Sequence, residues 1–587
     1  MSRLLIVAVS GITLLLVGSG CVPPASGDDG DGPTPDDNAR ESRLIETSWL
    51  NDHLGDAGLV VIDARTTDGY LAGHIPGAVS ASFSEEDAVS RGYNVSYGCG
   101  LDFFLDADNP IPFQDGPPQQ IQEAVRNFGI HQHETVVVYD AGLDFHAGRF
   151  FWTLSQHGFD EIYILDGGLS KWQADGYPVS TEIPTVAKGD FIAGAPDVTQ
   201  LAVTDDVFAA MSDPDMVIVS GLQPSWHYGS YTAYTIPGHI PTTQLVSLGY
   251  FFHSDGTWKS KQEMQMILDT VGITPDKTVI TYCGGGPLSA CMYFTFKHVL
   301  DYPDVRNYAG SYLAWSTDPR DLPVNLYGND HWLRDTAWMR WWVGERMQRL
   351  MPVSPALAVD VRSLADYESG HIPWSVNIPM DDVDQVVSTS AGAWAGILGD
   401  RGVSNDLEIV AVDETVTPAT TLFFWLLQYL GHEKVSVACE GLNGWSGARY
   451  PVSMDDTVIA EPETPIDVAI HPTTFTLDVR SDIRLQTADA PRDYPFSPVW
   501  VVAAEEVPED LPVESYIHVP WTSNLTEDGF LMPAGDLWSL YEQAEVQYFS
   551  EIVCYSDDPA EATMTWFVLR LLGFPRVLVY LPGDGGL

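Results

Sequence analysis

The chain has 587 residues, of which 81 are acidic and 28 are Lys or Arg, giving a formal net charge of -53. A surface this acidic repels phosphate backbones and anionic lipid, which excludes nucleic acid and anionic membrane surfaces as partners. With 45% hydrophobic residues the composition is globular, and the length calls for several domains rather than one core.

Residues 1–21 read as a targeting segment. Arg3 supplies the charged start, Leu4 to Val17 a short apolar run, and Gly18-Ser19-Gly20 the small residues before Cys21. The run is short for a membrane span. Small residues ahead of a cysteine resemble a bacterial lipobox. On that reading Cys21 is the lipidated first residue of an exported protein held in the cell envelope, membrane contact is limited to the anchor, and plain secretion is the alternative. Residues 22–42, rich in Pro, Gly and Asp, are expected to form a disordered acidic linker, so folded structure begins near Arg43.

From there one pattern recurs four times. Each unit opens with an apolar strand ending in a polar turn: Leu59 to Arg65, the degraded Val217 to Leu222, Leu357 to Arg362, and Thr476 to Arg480. An Asp-x-Arg sequence closes the first, third and fourth of these strands. A Gly-His-Ile-Pro turn follows at 73–76, 238–241 and 370–373, reduced to Ile517-His518-Val519-Pro520 in the last unit. His74, His239 and His371 recur whatever else a unit carries, so they are assigned to shaping the turn rather than to acting as bases.

A central strand, a loop and a helix come next, and a glycine-bearing strand closes the unit, with Trp172, Trp315 and Trp445 following in the first three. Strands alternating with helices predict α/β domains, each a mostly parallel sheet flanked by helices, with sites at the carboxyl ends of the strands. The units are placed at 43–188, 195–326, 330–455 and 465–587. The aromatic run Trp338-Met339-Arg340-Trp341-Trp342 is assigned to the core face of the first helix of unit three.

The second unit carries the chemistry-bearing stretch. Thr278 to Tyr282 reads as a β-branched strand; Cys283 follows, then Gly284-Gly285-Gly286-Pro287-Leu288-Ser289, then a helix from Ala290 to Leu300. Glycines let successive N–H groups turn toward one point, and a following helix aims its positive end there. A thiol so placed is an activated nucleophile, with residues 284–289 as the cradle for substrate. A cysteine merely buried at a strand end has no need of three glycines after it. The remaining cysteines, Cys99, Cys291, Cys439 and Cys554, are far apart, odd in number together with Cys283, and lack CxxC or Cys/His spacing. Neither a disulfide framework nor a metal site is expected.

The Asp-Ala-Arg strand end at 63–65, the Gly-His-Ile-Pro-Gly-Ala turn at 73–78, the Cys-Gly-Gly-Gly loop at 283–286 and the Leu-Asp-Gly-Gly-Leu ending at 165–169 occur in that order. Together they resemble rhodanese sulfurtransferases, over nearly everything after residue 43. The resemblance implies four tandem rhodanese-like domains, a cysteine that carries a sulfane sulfur as a persulfide, and no metal or organic cofactor. The position of that cysteine holds Asp140 in unit one, Cys283 in unit two, Asp413 in unit three and Ser556 in unit four. A carboxylate cannot accept a sulfane sulfur and a hydroxyl is a poor acceptor, so unit two alone is catalytic. The implied partners are a small donor such as thiosulfate or 3-mercaptopyruvate and a thiol or cyanide acceptor; the sequence sets no oligomeric state.

Three departures from the family pattern bear on the donor. The loop has no basic residue, Ser220-Gly221-Leu222 stands where the other units have Asp-x-Arg, and the loop to Ala290 counts one residue longer than is usual. Arg65 and Arg149 of unit one are the arginines that could face the cleft instead, or serve as structural ion-pair partners. A longer loop would admit a phosphate-sized oxyanion, but phosphatase chemistry needs an arginine where this chain has Ser289. The competing class is a non-catalytic envelope scaffold built from degenerate units. The intact glycine loop around Cys283 favours the enzyme.

Overall fold

The computed structural model describes residues 33–81, 106, 109–111, 114–230, 234–343, 356–457, 459, 470–489, 492–582 and 587. Valine, isoleucine and alanine runs form four parallel sheets whose central strands are buried on both faces, as covering helices require. The first sheet contains β1 (Leu44–Ile45), β2 (Leu59–Asp63), β3 (Val79–Ser80), β4 (Thr135–Tyr139) and β5 (Ile162–Leu165), in spatial order β1-β5-β4-β2-β3. The second contains β6 (Met216–Ser220), β7 (Gln244–Leu245), β8 (Thr278–Tyr282) and β9 (Val305–Asn307), in order β9-β8-β6-β7. Its outer place is taken by Leu201, which bridges in parallel to Asn307.

The third sheet runs through β10 (Leu333–Arg334), β11 (Ala356–Asp360), β12 (Val376–Asn377), β13 (Glu408–Val412) and β14 (Val435–Ala438), in order β10-β14-β13-β11-β12. The fourth, with β15 (Arg484–Leu485), β16 (Pro498–Val502), β17 (Ile517–His518), β18 (Glu551–Tyr555) and β19 (Val577–Tyr580), has order β15-β19-β18-β16-β17. One topology is therefore repeated four times.

The units pack in pairs. The helix His146–Gln156 of unit one lies on the helix Pro287–Phe294 of unit two, with Phe151 and Phe294 rings 4.8 Å apart. The helix Pro418–Tyr429 lies on Pro559–Leu571 in the same way, with Phe424 and Phe567 rings 5.0 Å apart. Unit two then meets unit four: Tyr228 stacks on Trp538 at 5.2 Å, and its hydroxyl donates to the Leu572 carbonyl.

The repeated signatures have a common structural use. His74, His239 and His371 are buried and pair their backbones with Ser180, Asn325 and Ser453, which pins the turn to the end of each unit. The indoles of Trp172, Trp315 and Trp445 donate to the carbonyls of Pro178, Pro323 and Pro451 at 2.9, 2.8 and 2.7 Å.

Four expectations are corrected. Residues 37–42, assigned to the linker, form a helix: Asp36 caps it through the Ala39 N–H at 2.8 Å, and Ala39 is buried in the core of unit one. Thr476 to Arg480 is not the opening strand of unit four. Two of its backbone N–H groups are taken by the C-terminal end of the helix Pro418–Tyr429 of unit three, Asp478 by Leu430 and Arg480 by Tyr429, and the strand is the more β-branched Pro498–Val502. The Asp-x-Arg ending therefore belongs to units one and three alone, and Ile517-His518 is the edge strand β17 rather than a turn. In the helix Thr336–Trp342 only Met339 is buried; Trp341 is 65% exposed, so the aromatic run is not a core face.

Candidate active site

Strand β8 delivers Cys283 to the carboxyl end of the second sheet, beside β6 and β9. Gly286, at φ 114°, turns the chain, and the helix starts at once on Pro287. The expected start at Ala290 is thus three residues late. Proline suits the first helical position because an N–H there would have no intrahelical partner. The helix runs to Phe294 and continues as a π-helical turn over Thr295–Val299.

This geometry divides the predicted cradle. The Gly286 N–H donates to Cys283 Sγ at 3.2 Å. The Gly284 carbonyl accepts from Leu313 N–H at 2.9 Å, and that of Gly285 accepts from the Gln114 side chain at 3.3 Å. Pro287 has no N–H to offer. Ser289 is buried and donates its hydroxyl to the Gly286 carbonyl at 2.9 Å, bracing the turn. The Leu288 and Ser289 N–H groups, in the first helical turn, have no protein acceptor among the described residues and point the positive helix end at the loop.

Ser311 is a site residue that the sequence reading missed. Its Oγ accepts the Cys283 N–H at 3.1 Å and lies 3.8 Å from Cys283 Sγ, while donating to the Tyr308 carbonyl at 2.9 Å. Ser311 holds φ 53°, where units one and three place Gly168 at φ 55° and Gly441 at φ 52°. The signal in the sequence was a serine standing where the repeat has glycine. Gln114, which reaches from unit one to the carbonyls of Gly285 and Ala309, left no sequence signal.

The equivalence of units one, two and three can be read from hydrogen bonds. The Cys283 carbonyl accepts Tyr312 N–H at 2.9 Å, as Asp140 accepts Leu169 at 2.9 Å and Asp413 accepts Leu442 at 2.8 Å. Asp140 fills its own cradle, its carboxylate taking the N–H groups of Gly142 at 2.9 Å and Ala147 at 3.0 Å. Burial, then the nearby Asp144 charge, pushes Asp140 up to about 6. Asp413 accepts the Thr417 hydroxyl at 2.6 Å, and Ser556 donates to Glu561 at 2.6 Å.

Both candidate arginines are held in ion pairs. Arg65 forks onto Asp63 at 2.6 Å and donates to the Gly73 carbonyl at 2.7 Å, and Arg149 pairs with Asp115 at 2.6 Å. Cys283 is itself buried, in an apolar cluster with Leu222, Tyr234, Tyr282 and Tyr312. Burial pushes the other described thiols up, Cys439 to about 11 and Cys291 and Cys554 also well above the ordinary thiol. Cys21 and Cys99 lie outside the described residues. Among the described residues no cluster of His, Cys, Asp and Glu could hold a metal ion.

A family model for the rhodanese-like domain matches residues 46–175, 208–318 and 342–448, more than half of the chain. The chain belongs to the rhodanese family. The fourth sheet lies beyond those matches and carries the rhodanese strand order all the same. This rhodanese is similar to a 3-mercaptopyruvate sulfurtransferase of Escherichia coli (strain K12), 28% identical over 301 residues, which are 48% of this chain and 97% of the relative. It is similar also to the sulfur carrier protein TtuD of Thermus thermophilus, 26% identical over 284 residues, 46% of this chain and 93% of the relative. Among solved structures, the 3-mercaptopyruvate sulfotransferase SseA from Escherichia coli matches 46% of this chain and 99% of its own, at 27% identity and a TM-score of 0.40.

Proposed function

We propose that this rhodanese is a sulfurtransferase in which Cys283 carries the sulfur as a persulfide. The observation that carries the reading is the Gly286 N–H on Cys283 Sγ, at the foot of a helix whose Leu288 and Ser289 N–H groups have no protein acceptor among the described residues. Donors so placed stabilise anionic sulfur. The sulfurtransferase relatives, each covered almost end to end, support the same reaction class.

The Cys283 thiolate attacks the outer sulfur of a donor such as thiosulfate. With thiosulfate a new S–S bond forms, the donor's S–S bond breaks, and sulfite leaves with its electron pair. With 3-mercaptopyruvate the donor's C–S bond breaks instead, and the electron pair leaves on pyruvate as its enolate, which takes up the thiol proton. A thiolate or cyanide then attacks the outer sulfur of the persulfide and returns Cys283 to the thiolate. No cofactor enters this balance. The apolar, tyrosine-lined surroundings of Cys283 and the absence of a basic residue in its loop favour a donor of low charge, such as 3-mercaptopyruvate, over the thiosulfate dianion.

Units one, three and four, with Asp140, Asp413 and Ser556 at the equivalent position, take no sulfur. We also propose export, with Cys21 lipidated and the enzyme held in the cell envelope. Palmitate labelling that vanishes in Cys21→Ser tests the anchor.

Intact mass after incubation with 3-mercaptopyruvate or thiosulfate tests the chemistry. One added sulfur that cyanide removes, and that Cys283→Ser never acquires, is the expected result. A protein that takes no sulfur from either donor, and whose Cys283 resists alkylation even when Tyr234 is truncated, is a scaffold.

A further inference from the structure

A cavity of about 290 Å³ lies at the seam between units two and four, and Cys283 is not among its lining residues. Arg570, on the helix Pro559–Leu571, forms part of its wall. Its Nη1 donates to the carbonyls of Phe574 at 2.7 Å and Pro575 at 2.8 Å. Its Nε and Nη2 have no protein acceptor among the described residues.

The acids nearby are already committed. Asp482 pairs with Arg480 at 2.9 Å, and Glu551 pairs with Arg492 at 2.5 Å and with Arg576 at 3.4 Å. Burial, followed by the Arg480 charge, pushes the Arg570 guanidinium below its usual range. Arg570 is half-buried, and a partly desolvated cation without a counterion is costly, a cost that an anion beside it would offset.

The rest of the wall has the same preference. None of the lining residues is Asp or Glu, in a chain that has 81 of them. By contrast, the cavity beside Trp49 is lined by Asp36, Glu46, Asp52 and Asp166. Thr243 and Thr270 spend their hydroxyl protons on Ile240 and Ile267, and Tyr548 spends its own on Gly573. The Gln244 side chain lines the cavity from unit two and has no protein partner among the described residues. Asn329 spends its Nδ2 on the Arg570 carbonyl at 2.6 Å, and His227 is held beside Ser220 Oγ at 3.2 Å. The guanidinium edge of Arg570 and the NH2 of Gln244 line, as donors, a space too small for a large organic ligand. A guanidinium edge fits two oxygens of a tetrahedral anion at once.

We propose that this cavity binds one small tetrahedral oxyanion of the sulfate class, held by Nε and Nη2 of Arg570 and the amide of Gln244. The ligand bridges the two units, so its binding stabilises their contact by mass action. The site is independent of the sulfur chemistry at Cys283.

The test titrates the full-length protein with sodium sulfate at ionic strength held constant with chloride, followed by calorimetry and by Tm. One saturable site per chain and a rising Tm are expected. Arg570→Gln should weaken binding about tenfold or more, the cost of a lost charged hydrogen-bond pair. Gln244→Ala should weaken it less, and Cys283→Ser should leave it unchanged. Titration without saturation, binding indifferent to Arg570→Gln, or binding lost in Cys283→Ser overturns the proposal. Should Arg570→Gln fail to fold by circular dichroism, Arg570→Lys keeps the charge without the fork and serves the same comparison. Selenate soaked into crystals then has to give its anomalous peak in this cavity, and a peak elsewhere overturns it.

Discussion

Gly148 of unit one lies directly against Cys291 of unit two: a Cβ on Gly148 would stand 2.6 Å from Cys291 Cβ and 2.7 Å from its Sγ. The two helices that hold the first pair of units together approach closely enough at this point to leave no room for a methyl group. Gly148→Ala should therefore destabilise the pair by about 1–3 kcal/mol, the usual cost of overpacking a closed core. Urea unfolding checks it, and a midpoint equal to wild type would show that the seam is looser than the distances imply.

Tyr234 packs beside the nucleophile. Its hydroxyl packs on Gly284, and its ring shares the buried cluster that holds Cys283. Tyr234→Ala should let iodoacetamide reach Cys283 several-fold faster, read as the rate of alkylation by mass. Tyr234→Phe keeps the ring and should change the rate much less. Equal rates in all three proteins would place the barrier to entry elsewhere.

Ser311 separates activity from stability. Ser311→Gly removes the acceptor of the Cys283 N–H and a hydroxyl beside Sγ, but it also relieves a left-handed backbone that costs a serine about 1–2 kcal/mol. Those effects oppose each other in folding and not in catalysis. Tm should stay within a few degrees of wild type while sulfur transfer slows about tenfold to a hundredfold. An unchanged rate would make Ser311 a turn residue only.

Asp166 gives stability a pH dependence of known sign. Burial first, then the charges of Glu46 and Asp255, push its carboxyl up to about 7, against the accepted Trp258 N–H at 2.9 Å. An unfolded aspartate titrates near about 3.9. Between those values the folded chain holds the proton more tightly, so this group's contribution fades as pH rises from about 4 to about 7. Asp166→Asn should gain on wild type in stability between about pH 5 and about pH 8. Denaturation midpoints at both pH values check this, and a gap that does not widen with pH contradicts it.

Much of this architecture is visible in the residues. Runs such as Val136-Val137-Val138 and Ile409-Val410-Ala411 mark central strands because a strand covered on both faces has no polar alternation to disguise it. The equivalence of Asp140, Cys283 and Asp413 follows from the same runs, since each residue ends one. Less visible is what depends on tertiary partners. Thr476 to Arg480 imitates a strand end, yet two of its N–H groups are claimed by Tyr429 and Leu430. Pro287 reads as loop and is the first residue of a helix. The part of the site contributed by Ser311 and Gln114 comes from distant segments, joined to Cys283 only by folding.

The contact between Tyr228 and Trp538, with Tyr250 set against Phe549 at 4.9 Å, changes what counts as a removable part. All the proposed sulfur chemistry lies before residue 327, so a shortened gene product looks sufficient on paper. Shortening it would bare two tyrosine faces that the second pair now keeps dry, and contiguous apolar surface of that kind drives self-association. Removing the second pair should therefore make the first self-associate, which light scattering of a chain ending at residue 327 checks. Whatever its loops carry, the second pair supplies the helix and aromatic rings that cover Tyr228 and Tyr250.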